Sequence, residues 1–84
     1  MSAIEKLKQE LKSRPKTFKW SDLERILSNA GYLESKGGKT TGSRVRFTHP
    51  IAAPIILHKP HPSNQMKSYA IRFVADVLES EELL

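Results

Sequence analysis

Three histidines and a group of cations share one short stretch, Gly42 to Pro62, which reads G-S-R-V-R-F-T-H-P-I-A-A-P-I-I-L-H-K-P-H-P. The chain has no cysteine. Histidine is therefore the side chain here that exchanges a proton near neutral pH without a large pKa shift. Arg44, Arg46 and Lys59 lie among the histidines. Arginine can hold a phosphate through two parallel hydrogen bonds. Proton-exchanging groups beside fixed cations suit binding and cutting a phosphodiester chain without a metal. A base takes the 2′-hydroxyl proton, an acid protonates the leaving oxygen, and cations hold the phosphate. His58 and His61 are the candidates for base and acid, with Arg44, Arg46 or Lys59 on the phosphate.

Each candidate has a plainer alternative. His61 stands between two prolines and could simply shape a turn. His58 could be a strand-end residue with a satisfied hydrogen bond. His49, just before Pro50, reads as a turn residue. His58-x-x-His61 has a spacing that imidazole ligands can use. No cysteine is available, and no Asp or Glu lies between Lys36 and Lys67, so no metal site is expected. Gly37, Gly38 and Gly42 lack the phosphate-loop pattern and precede a strand; no cofactor is expected. Trp20 could stack on a base, but a lone large aromatic more often closes a small core.

Charge narrows the partner. Among the 84 residues, fourteen Lys and Arg stand against nine Asp and Glu, a net charge of +5. Between Lys36 and Lys67 there are six cations (Lys36, Lys39, Arg44, Arg46, Lys59, Lys67) and no acid, while four of the nine acids fall in the last nine residues. A face that is merely solvated usually mixes both signs. The basic stretch favours nucleic acid or another polyanion, with Lys36, Lys39 and Lys67 extending the footprint. No apolar run is long enough to span a membrane, and the N-terminus lacks the apolar core of a secretory signal. A soluble, cytoplasmic protein is expected.

The elements that must position these residues follow from periodicity. Ile4, Leu7 and Leu11 mark a narrow helical stripe over residues 3–13, and Pro15 marks a linker after it. Ser21 and Glu24 fit a capping box for a second helix. Leu23, Ile26, Leu27 and Ala30 are its apolar face, and Gly31 is its stop. Residues 32–36 form a short strand candidate, followed by a Gly- and Thr-rich turn over 37–42. Residues 43–49 alternate. If Val45 and Phe47 point inward, Arg44 and Arg46 point outward. Ile55 to His58 is a β-branched run. If Ile55 and Leu57 face the core, His58 joins Arg44 and Arg46. Residues 59–67 read as a loop. A last helix over 68–79 offers Ala70, Phe73, Val74, Val77 and Leu78 as its apolar face. The expected fold is α+β: a three-stranded antiparallel sheet with helices on one face, within a single domain spanning 1–84.

From Trp20 to Leu84 the chain resembles the HicA family of toxins, the mRNA interferases of HicA–HicB toxin–antitoxin pairs. The resemblance rests on S-D-L-E-R-I-L-S-N-A-G-Y, on Gly42-Ser43 opening the second strand, on Pro60-His61-Pro62, and on the closing amphipathic helix. It implies a small α-β-β-β-α domain similar to double-stranded-RNA-binding domains, here over 18–84. Residues 1–17 would be an added N-terminal helix and linker. It also implies an mRNA substrate, a HicB-type antitoxin and metal-free RNA cleavage. Family members usually carry their catalytic histidine just after the Gly-Ser; this chain has Arg44 there. Arginine stays protonated and cannot act as a base near neutral pH. His61 matches a histidine that many members carry. Three functions remain open: a ribonuclease toxin using His61 and His58, a HicA-like module that grips RNA without cutting it, and an interaction domain for an acidic protein partner.

Overall fold

The computed structural model describes residues 2–36 and 44–84. Along the chain run helices α1 (Ala3–Lys12) and α2 (Trp20–Ala30), strands β1 (Leu33–Lys36), β2 (Arg44–Thr48) and β3 (Ile55–His58), and helix α3 (Ser68–Ser80). The strands form one antiparallel sheet in the order β1-β2-β3. In β2, Val45 and Phe47 are buried and Arg44 and Arg46 are exposed, because successive strand side chains leave opposite faces. β3 has three consecutive apolar residues, so its sequence leaves the choice of face open. The structure buries Ile55 and Leu57 and exposes Ile56 and His58. The helices cover the Val45/Phe47 face, where one core joins Leu11 of α1, Leu23, Ile26 and Leu27 of α2, and Ile71, Val74, Ala75 and Leu78 of α3.

Two local expectations are corrected. Ser21 does not cap α2. The helix starts two residues earlier, with Lys19 at its N-cap and no side-chain capping bond. Trp20 N–H, a first-turn amide with no partner inside the helix, instead donates to Asn64 O at 2.8 Å. A tertiary carbonyl has displaced the local cap. The buried face of α3 is also rotated from the expected one. Ile71, Val74, Ala75 and Leu78 are buried, Ala70 and Val77 are half-buried, and Phe73 is exposed. Apolar residues occupy two neighbouring rows of this helix at i, i+3, i+4 spacing, and only one row can face the sheet.

The narrow stripe of α1 packs firmly at one end. Leu11 is buried, while Ile4 and Leu7 are half-buried against the core. Ser2 caps this helix by accepting from Glu5 N–H. Past its C-terminus, Arg14 adopts a left-handed φ of 54°, a conformation that costs a side chain about 1 kcal/mol. The same turn aims its guanidinium at α3, where it donates to Asp76 at 2.6 Å and Glu79 at 3.0 Å. Glu79 is held below its usual carboxylate pKa, chiefly by the hydrogen bond from Arg14. A depressed pKa adds stability above the unfolded value and loses it as pH falls. The stability difference between wild type and Arg14→Ala should therefore hold near neutral pH and shrink below about pH 4.5. Chemical denaturation of both proteins at pH 7 and pH 3 measures it.

At the other end of α2, Gly31 stops the helix at φ 105°, and a Cβ there would lie 3.0 Å from His49 Nε2. Gly31→Ala should lower stability by more than about 1 kcal/mol, from the left-handed backbone alone. The displaced imidazole adds to that loss. The midpoint of denaturant unfolding reads the change.

Candidate functional site

The exposed face of the sheet is built by alternation and register together. Arg44 stands opposite His58, and Arg46 opposite Ile56 on one side and Ser35 on the other. Cross-strand partners share a face, so Arg44, Arg46 and His58 project from the side that the helices leave uncovered. Among the described residues no carboxylate stands on that row: Glu34 pairs with Phe47, in the inward row. The arginines therefore present a single sign of charge, next to an imidazole at the strand end.

His58 also borders a second feature. Beyond β3 the chain turns through Lys59, Pro60 and His61, with a cis peptide at His61–Pro62. It then returns to the start of α3. A shallow cleft of about 240 Å³ lies there, lined by His58, Lys59 and His61 on one side and Lys67, Tyr69 and Ala70 on the other, with buried Met66 below. Backbone bonds fix the loop. Lys19 and Gln65 form an isolated antiparallel bridge, Met66 N–H donates to Phe18 O at 2.8 Å, and Asn64 O accepts from Trp20. Gln65 N–H donates to Ser63 Oγ. α3 opens onto this cleft with Lys67 at its N-cap and no side-chain capping bond. The positive end of the helix dipole thus adds to Lys59 and Lys67.

The expected site residues divide into groups. Arg44, Arg46 and His58 share the sheet face. His58, Lys59, His61 and Lys67 meet at the cleft, and His58 belongs to both. Neither Arg44 nor Arg46 lines the cleft; Arg44 adjoins it through His58, its cross-strand partner. Lys36 ends β1 in register with Val45, not with either arginine. Lys39, the turn over 37–42 and the Gly42-Ser43 pair lie outside the described residues. Trp20 is buried, with its ring centroid 5.9 Å from that of Phe47; it is a core residue and cannot meet a base. Among the described residues, no three His, Asp or Glu side chains group in a way that could hold a metal ion. Tyr69 also lines the cleft, a residue that the sequence pattern does not single out. Its signal is a large aromatic two residues after Lys67 and four before Phe73, in the row of α3 that does not face the sheet.

His49 has a structural task. Its Nδ1 accepts from Ile51 N–H at 3.1 Å and Ala52 N–H at 2.9 Å. The proton must then sit on Nε2, which donates to Ala30 O at 3.0 Å, near the C-terminus of α2. Tyr32 packs against the ring at 4.9 Å between centroids. Its hydroxyl donates to Ala53 O, and burial raises its pKa. Glu81 accepts from Ala53 N–H. The β2–β3 connection is thus locked at the end of the sheet opposite the cleft.

A helix, three antiparallel strands and a closing helix, with both helices on one face, define a small α+β domain of the double-stranded-RNA-binding-like class. A family model described as the HicA toxin of bacterial toxin–antitoxin matches residues 20–77, from the first residue of α2 into α3. The chain belongs to the HicA toxin family. It is therefore a toxin-type protein whose counterpart is an antitoxin, and α1 precedes the matched residues. No curated protein and no solved structure gives a significant match. No helix among the described residues is long and apolar enough to cross a membrane.

The three histidines should separate in stability measurements. His49→Ala leaves two backbone donors and one carbonyl without their partner, and should cost about 1–3 kcal/mol. His58→Ala and His61→Ala, both exposed, should stay within about 0.5 kcal/mol of wild type. Urea denaturation of the three variants tests the division.

Proposed function

We propose that this protein is an RNA-cleaving toxin, a cytoplasmic mRNA interferase held inactive by a HicB-type antitoxin. One observation carries the reading: His58 faces Arg44 across the uncovered sheet and also lines the cleft that contains His61. Two imidazoles and the guanidinium of the facing strand can therefore address one phosphate. Arg44 holds the phosphate oxygens, with Lys59 and Lys67 beside it. His61 takes the proton of the ribose 2′-hydroxyl. The 2′-oxygen then forms a bond to phosphorus as the bond from phosphorus to the 5′-oxygen breaks. His58 gives a proton to that leaving oxygen. The products are a 2′,3′-cyclic phosphate and a 5′-hydroxyl, and the protein supplies no electrons. Arg46 grips a neighbouring phosphate.

A second reading is favoured by Arg44 itself. Arginine stays charged, and the resemblance puts a histidine at its position, so the chain could grip RNA without cutting it. An acidic protein partner is the third reading, and salt-dependent RNA binding separates it from the other two.

Expression of the wild type without antitoxin should arrest growth. The purified protein should cut RNA in the presence of EDTA. General acid–base catalysis contributes about 10² to 10⁴ in rate, so His61→Ala and His58→Ala should lose activity on that scale while keeping the fold. Full activity in both variants would remove these residues from the mechanism. RNA binding without cleavage by the wild type would replace the enzyme with the binding module. Arg44→Ala and Arg46→Ala should each make the slope of log K against log salt shallower by about 0.7, the contribution of one single-strand phosphate.

A further inference from the structure

We propose that Tyr69 is a stacking platform for one unpaired nucleobase of RNA held at the cleft; the inference rests on the RNA-binding reading above. Tyr69 is the second residue of α3 and lines the cleft together with His58, Lys59, His61 and Lys67. It is 62% exposed. The fold does not need its ring: α3 seats itself on the core through Ile71, Val74, Ala75 and Leu78. Among the described residues no other ring stacks on it, and its hydroxyl has no hydrogen-bond partner. An open aromatic face therefore stands at the edge of a group of cations and imidazoles.

That juxtaposition matches the two surfaces of a single-stranded nucleotide. The cations take the phosphate, and the ring takes the flat face of a base, as in proteins that track single strands. A base inside a duplex has both faces covered by its neighbours, so the ring can meet only a base that is out of the stack. Tyr69 would thus select an unpaired nucleotide at the point where His58 and His61 act. It would tolerate different bases, since stacking uses a face that every base has. Phe73, one helical turn on and also exposed, extends the same aromatic strip away from the cleft.

The test uses a labelled single-stranded 2′-O-methyl oligonucleotide, which cannot be cut through its 2′-oxygen, and measures affinity by fluorescence anisotropy. Tyr69→Ala should weaken binding about 5- to 150-fold with an unchanged salt slope, because no phosphate contact is lost. Tyr69→Phe should bind within about threefold of wild type, because the stacking ring is kept. An oligonucleotide series with one abasic position at a time should contain one member that weakens the wild type and erases its advantage over Tyr69→Ala. A duplex of the same sequence should bind both proteins equally. If the wild type binds RNA and Tyr69→Ala binds as tightly, or loses duplex and single strand alike, the stacking role is overturned and the RNA reading stands. If the wild type binds no RNA, the RNA reading itself falls.

Discussion

Phe47 has to be buried, and much of the molecule follows from where it goes. It sits at the middle of the sheet, on the central strand, and meets Trp20 at the start of α2. Burying two large aromatic rings contributes several kcal/mol of apolar transfer in a chain with few other large side chains. Once Phe47 and Val45 face the helices, Arg44 and Arg46 must face away. The register then places His58 beside Arg44. The same contact draws in the first turn of α2, whose Trp20 amide takes the Asn64 carbonyl. That bond anchors the loop bearing His61. A packing requirement on one face thus orders the polar groups on the other face and at the sheet's end.

The two ends of the sheet have opposite characters. At one end His49, Tyr32 and Glu81 satisfy the backbone of the β2–β3 connection, and Gly31 leaves just enough room for the imidazole. Polar groups there point inward at backbone atoms. At the other end His58, Lys59, His61, Lys67 and Tyr69 are exposed around a cleft. Polar groups there point outward at solvent. Similar residue types serve stability where the backbone consumes their hydrogen bonds, and stay open for a ligand where it does not.

α1 joins the rest through fully buried Leu11, half-buried Ile4 and Leu7, and Arg14 just past its end. Leu11 enters the common core, and Arg14 reaches the outer face of α3. This ion-pair cluster is partly exposed, so water and salt screen it. Its main effect is orientation: the guanidinium forks onto two carboxylates one turn apart and sets how α1 leaves the core. Two of the four acids near the end of the chain, Asp76 and Glu79, thus have their partner in Arg14.

The sequence alone determined the element order, the inward and outward rows of β2, the extent of β3, the glycine stop of α2, and the family. Strict alternation and a left-handed helix stop each depend on a few adjacent residues, so they are legible without the fold. It also marked the cationic stretch and its histidines as a group, but it did not distinguish their tasks. His49, His58 and His61 differ only in what surrounds them. A backbone trio claims the first and none claims the other two, and that depends on chain segments up to nineteen residues away. The face of β3 was open because Ile55, Ile56 and Leu57 are all apolar; pairing with β2 settled it. The start of α2 and the buried row of α3 were misread because each had two locally acceptable answers. Asn64 chose the first and the sheet chose the second. Nothing local singles out Tyr69, because its position beside the histidines exists only once the 59–67 loop is bridged back to Lys19. Local pattern fixes what a residue can do, and tertiary contacts decide which polar atoms are already in use.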